Sequence, residues 1–136
     1  MEGITIGTVA RRAAVNLETL RYYERQGLLQ KPPRTRSNYR LYPEEAVRRI
    51  RFIKRAQELG FSLKEIKELL SLRAAPRTRC SQIRKRAEAK VKNIDGKVRT
   101  LKSMRKALSK LIAECTGRGP VTDCPILGSL DSEDTA

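Results

Sequence analysis

The chain has 136 residues, enough for one modest core or two small helical parts and little for an enzyme with a deep pocket. Thirty Lys plus Arg against fifteen Asp plus Glu give a net charge of +15 and a pI near 10.4, which points to a polyanionic partner, nucleic acid before an anionic membrane. No apolar run approaches the roughly 18 to 20 residues of a membrane span and the start lacks the apolar core of a signal peptide, so a cytoplasmic location without membrane contact is expected.

Aromatic residues make up 4% of the chain, while Leu, Ile, Val and Ala recur at helical spacing, so a mainly all-α fold is expected. The first helix is predicted between Thr5 and Ala14, with Thr5 as N-cap and Ile6, Val9 and Ala10 facing inward. Asn16 caps a second, NLETLRYYERQG, which Gly27 ends in a position suited to a left-handed residue. Two short helices joined by a tight turn near Val15 in so basic a chain resemble a helix-turn-helix, with the second helix as the reader. On it Leu17, Leu20 and Tyr23 share the inner face, and Glu18, Arg21, Tyr22 and Arg25 lie on the outer one. The segment from Leu28 to Pro43 reads as a β-ribbon wing, with short strands at Arg34-Thr35 and Tyr39-Leu41 about a Ser37-Asn38 turn. Its Lys31, Arg34, Arg36 and Arg40 offer donors to phosphate, and Tyr39 a flat group to pack on a sugar. Pro43 then opens a helix whose buried stripe is Ala46, Ile50, Ile53 and Ala56 or Gln57. Ser62 with Glu65 forms a capping box for a helix through about Leu72, closing a winged helix-turn-helix DNA-binding domain over residues 1–75.

Beyond Pro76, residues 79–115 form one long amphipathic helix. Val91, Ile94, Val98, Leu101, Leu108 and Ile112 follow the alternating steps of a coiled-coil seam, interrupted by Arg105 and weakened at Gly96. Such a stripe needs a partner, and the simplest is the same helix of a second chain, giving a homodimer. The remaining residues, 116–136, form a loop and tail. Three cysteines, an odd number with no C-x-x-C, argue against a disulfide framework. On a continuous helix Cys80 and Cys115 lie about 50 Å apart, too far to share a ligand within one chain. An antiparallel pair brings Cys80 of one chain to Cys115 of the other, and Cys124 folds back through the Gly117 and Gly119 loop to complete a three-sulfur metal site at each end. Three thiolates in a chain without histidine favour a soft ion, mercury(II), or alternatively lead(II) or cadmium(II), over zinc. The start of the helix, Arg77 and Arg79 beside Cys80, and Arg118 near Cys115 favour thiolate.

The stretches ITIGTVARRAAVNLETLRYYERQGLL and RTRSNYRLYPEEAVRRIRFIKRAQELGFSLKEIKELL, within residues 4 to 72, closely resemble the MerR family of transcription regulators. Cys80, Cys115 and the C-x8-C spacing to Cys124 resemble its mercury-responsive branch. The resemblance implies an antiparallel coiled-coil dimer on promoter DNA whose polymerase elements stand too far apart. It represses without metal and, with metal bound, distorts the DNA so that RNA polymerase can open it. Carried over onto matching positions, Thr19, Arg21 and Tyr22 on the second helix and Arg34, Tyr39 and Arg40 on the wing face DNA. Copper-sensing relatives lack the cysteine equivalent to Cys80 and zinc-sensing ones add histidine, whereas lead- and cadmium-sensing ones also use three cysteines. An effector-free DNA-binding repressor with structural cysteines is the competing reading. A peroxide-sensing thiol is a third, and an enzyme has little support without a histidine base.

Overall fold

The computed structural model describes residues 3–132; the two residues before them and the four after, which include the end of the acidic stretch DSEDTA, lie outside the described residues. The chain forms two compact units that divide between Lys90 and Val91. The first holds α1 (Ile6–Arg12), α2 (Leu17–Arg25), α3 (Glu45–Glu58), α4 (Leu63–Ala74) and the opening turns of α5 (Cys80–Glu114). The second holds the rest of α5, a 3-10 turn at Val121–Asp123 and α6 (Pro125–Leu130).

Side-chain caps start α1, α2 and α4 where the sequence pattern places them, whereas α3 begins after Pro43 without one. Thr5 Oγ1 accepts the Thr8 N–H at 3.3 Å, and Asn16 Oδ1 accepts the Thr19 N–H at 2.7 Å. At α4 the box is complete, with Ser62 Oγ accepting from the Glu65 N–H at 3.2 Å and Glu65 Oε1 accepting from the Ser62 N–H at 2.8 Å. These bonds satisfy donors that a helix start otherwise leaves open. The first helix stops at Arg12, short of Ala14, because Ala14 turns left-handed (φ 57°) and the Val15 N–H returns to the Ala10 carbonyl at 3.0 Å. Gly27 also adopts positive φ, 75°, and lets the chain leave α2 sharply.

One core fills the first unit. α3 contributes Ala46, Val47, Ile50, Ile53 and Ala56 to it, facing Val9, Leu20, Tyr23, Leu28, Tyr42 and Ile66. Gln57 stays exposed and accepts the Tyr23 hydroxyl at 2.6 Å. Leu17 departs from the expected inner face and is 39% exposed. It is the first residue of α2, ahead of the turns that carry the buried Leu20 and Tyr23.

The expected ribbon shrinks to a single antiparallel bridge, Arg34 with Arg40, about a turn in which the Asn38 N–H reaches the Thr35 carbonyl at 2.9 Å and Asn38 sits at φ 66°. Pairing cannot extend outward because Pro32 and Pro33, just before Arg34, have no N–H to give. Tyr42 instead bridges backwards to Ile4, exchanging backbone bonds of 2.9 and 2.8 Å.

Within the same unit the opening turns of α5 are fastened to α4. Lys90, only 9% exposed, donates to Glu65 Oε1 at 2.8 Å and lies 5.6 Å from the Phe61 ring centre, and Arg86 pairs with Glu68. In the second unit Gly96 and Arg105 leave α5 unbroken. Its seam residues are all exposed, from 40% at Ile94 to 64% at Ile112. Among the described residues no helix is long and apolar enough to cross a membrane.

Candidate nucleic-acid interface and thiol pair

α2 reaches the surface because the left-handed Ala14 turn swings it away from α1. Two cations of α3 hold that turn: Arg51 Nη2 donates to the Arg12 carbonyl at 2.8 Å and Lys54 Nζ to the Ala14 carbonyl at 2.9 Å. Both close the C-terminal end of α1, where orphan carbonyls favour positive charge. Arg49 Nε similarly donates to the Leu28 carbonyl at 2.7 Å. Three basic residues that sequence composition alone assigns to a polyanion are thus engaged by the fold itself.

The outer face of α2 presents Arg21 and Tyr22, with the Arg25 guanidinium 6.0 Å from the Tyr22 ring centre. Thr19 gives its N–H to the Asn16 cap and its side chain is half-exposed. On the hairpin, Arg34 Nη1 donates to the Asn38 carbonyl at 3.2 Å, which stiffens the turn, and Tyr39 stands 65% exposed. α2 and the hairpin meet at a cleft of about 280 Å³ that Arg21, Lys31, Arg34, Tyr39 and Arg40 line together. Thr19 and Tyr22 are not in its lining. Arg40 is half-buried, and its Nε is the buried side-chain polar atom without a hydrogen-bond partner among the described residues.

Two further residues in this cleft escaped sequence reasoning. Glu24 is its one acid and accepts the Tyr42 hydroxyl at 2.7 Å. The available signal was positional: Glu24 follows Arg21 by three residues and so shares its helix face. Burial, then the hydrogen bond to Glu24, push the Tyr42 hydroxyl well above its ordinary value, so it stays a donor, while the charges of Arg40 and Arg21 pull the other way.

In the second unit α5 ends at Glu114, and the Cys115 N–H still bonds to the Leu111 and Ile112 carbonyls, both at 3.2 Å. The chain reverses through Gly117 (φ 74°) and Gly119 (φ 94°), conformations glycine adopts freely, and arrives at Cys124, the residue that caps α6. There the backbone N–H groups of Leu127 and Ile126, in the opening turn of α6, lower the Cys124 thiol below its ordinary value. Burial opposes them, and a hydrogen bond from the Cys115 side chain adds to the lowering. The reversal thus returns Cys124 to the neighbourhood of Cys115, whose side chain is among the groups that lower the Cys124 thiol. Cys80 opens α5 in the other unit, exposed, on the rim of an apolar cleft of about 670 Å³ that includes Phe52, Leu59, Leu72 and Ile83. Among the described residues of one chain, no three candidate ligands cluster.

Residues 4–72 match the family described as MerR HTH family regulatory protein, and residues 47–111 one described as MerR, DNA binding. The mercuric resistance operon regulatory protein of Shigella flexneri is 42% identical over 133 residues, spanning 98% of this chain and 91% of that protein. The lead(II) complex of a transcription regulator from Ralstonia metallidurans CH34 has a TM-score of 0.82 at 32% identity, with 93% of this chain and 98% of that one covered. For the mercury(II) complex of the dual function transcriptional regulator MerR from Bacillus megaterium MB1 the TM-score is 0.69 at 33% identity, with 90% and 95% covered.

Proposed function

Because this chain belongs to the MerR family of helix-turn-helix transcription regulators, we propose that it is a mercury(II)-responsive member. It binds promoter DNA as a homodimer in the cytoplasm, represses without metal, and activates by distorting the DNA when metal is held. Arg21 is the first candidate for base contact, with Thr19 and Tyr22 beside it on α2; Arg34, Tyr39 and Arg40 position the hairpin on phosphate and sugar. The exposed seam of α5 is the dimer surface, read as antiparallel. RNA polymerase is the partner that gains from the distortion, since base pairs the protein never touches then decide the outcome.

The observation that carries the metal reading is the reversal through Gly117 and Gly119, which returns Cys124 toward Cys115 at the end of α5. Those two sulfurs would hold the ion with Cys80 from the second copy as third donor, an all-sulfur set in a chain with no histidine. A soft ion there supplies strong bonds that a hydrogen-bonded thiol pair does not. Lead(II) is the alternative, since a similar chain was solved as its lead(II) complex. Cadmium(II) shares the chemistry.

The test is titration of the reduced chain with mercury(II), lead(II), cadmium(II) and zinc(II) against a thiol competitor, read by sulfur-to-metal charge-transfer absorption. Tight mercury(II) binding that each Cys→Ser change abolishes supports the reading. Preference for lead(II) or cadmium(II) moves the protein to another branch, and no competitive binding returns it to an effector-free repressor. Cys124→Ser should keep DNA binding and lose metal-dependent transcription. Full induction in that variant removes Cys124 from the site.

A further inference from the structure

The hydrogen bond between Tyr42 and Glu24 ties together the two parts of the DNA-facing surface. Tyr42 is 1% exposed, and its ring fills the first unit's core. Its backbone is fixed to Ile4 by two hydrogen bonds, so the residue cannot slide along its own strand direction. Two residues earlier the same segment carries Arg40 into the cleft. The Tyr42 hydroxyl meets Glu24 Oε2 at 2.7 Å, and Glu24 lies one turn along α2 from Arg21. No other side-chain hydrogen bond among the described residues joins α2 to the segment from Lys31 to Tyr42.

Glu24 is also out of character for its place. A free carboxylate in a cleft lined by Arg21, Lys31, Arg34 and Arg40 repels the phosphates those cations attract. Binding strength alone favours a neutral residue there. What the carboxylate adds is a charged acceptor for a buried hydroxyl, a bond stronger than a neutral pair and directional enough to hold an orientation. Arg40 points to the same conclusion. Its Nε is buried with no partner, so the guanidinium has lost solvent on that side before any ligand arrives.

Building on the DNA-regulator reading, we propose that Tyr42 and Glu24 are a positioning pair. They set the register between α2 and the hairpin so that Arg21 and Arg40 engage one duplex together, and they serve discrimination between sequences rather than affinity for DNA as such. A misaligned hairpin still neutralises phosphates, because that term depends on charge. Base contacts by α2 depend on alignment, because hydrogen bonds to base edges weaken steeply with distance and angle.

The test uses the full-length chain, a duplex selected from a random-sequence library by the unaltered protein, and a scrambled duplex of equal length. Tyr42→Phe keeps the ring in the core and removes the donor; Glu24→Gln keeps an amide oxygen to accept from it. For Tyr42→Phe the selected-to-scrambled affinity ratio should fall about tenfold, with scrambled binding within about twofold of the unaltered chain. For Glu24→Gln most of the ratio should survive, with both duplexes bound somewhat more tightly as a negative charge is lost. Equal losses on both duplexes in Tyr42→Phe, accompanied by a lower melting temperature, overturn the proposal in favour of a purely structural bond. An unchanged ratio overturns it as well. If the library yields no preferred sequence, the base-reading role of α2 fails, and the positioning pair with it.

Discussion

The two units handle apolar surface in opposite ways. In the first, α1 to α4 bury Val9, Leu20, Tyr42, Ile50, Ile53 and Ile66 completely or nearly so, and even the charged Lys90 is covered and partnered. In the second, α5 exposes Val91, Ile94, Val98, Leu101, Leu108 and Ile112 along one side and buries no large residue. The first unit is complete as a single chain. The second has the surface of half an interface, since a long helix with an apolar stripe gains little stability until another helix covers it. With the proposed homodimer, such an organisation separates two properties, with folding carried by one unit and assembly by the other.

The largest effect should come from the first unit's core. Ile50→Ala removes a fully buried side chain and should cost about 2–5 kcal/mol in urea unfolding while leaving the self-association of the folded fraction intact. If dimerisation weakens in parallel, the separation is wrong. Next, Leu101→Asp places a charge on the seam and should weaken the dimer on the order of 100-fold, measured by sedimentation, with the cooperative unfolding of the first unit retained. An undisturbed dimer would move the interface elsewhere.

Smaller effects probe the fastening of α5 to α4. Lys90→Met removes the donor at 2.8 Å from Glu65 and should cost about 1 kcal/mol at neutral pH, no more, because Glu65 is partly exposed. The smallest effect is the pH dependence of that contact. The Lys90 hydrogen bond first, then the Ser62 N–H, hold the Glu65 carboxyl at about 2, against an ordinary 4.5. A lowered folded value means stability that is fully present above the ordinary carboxylate range and lost as pH falls through about 2. The urea midpoints of the unaltered chain and Lys90→Met should therefore converge as pH drops from about 4.5 toward 2. A constant gap across that range would show that Lys90 acts through packing on Phe61 alone.

Much of this was legible in the sequence because it follows from local rules. Thr5, Asn16 and the Ser62–Glu65 box announce helix starts through side chains that reach backbone only three residues on. The stripe Ala46, Ile50, Ile53, Ala56 needs no more than the helical repeat to be found. Arg21, Arg34, Tyr39 and Arg40 were legible as motif positions, and the structure brings them to one cleft. The ribbon contracts to one bridge because Pro32 and Pro33 have no N–H with which to extend the ladder, and the Ser37-Asn38 turn signal does not report that limit.

By itself, then, the sequence determined where α1, α2 and α4 begin, which faces are apolar, including the seam of α5, and the strongly basic character of the chain, but not α6, which falls in the stretch read as loop and tail. Only the tertiary structure decided which charges remain for a ligand: Arg49, Arg51 and Lys54 are drawn to carbonyls 21 to 40 residues away, Lys90 to Glu65, and Glu24 to a buried hydroxyl. The reason is physical. Caps and stripes arise from neighbours along the chain, whereas a buried donor or an orphan carbonyl is satisfied by whatever packing brings within 3 Å, and that choice has no local sequence signature.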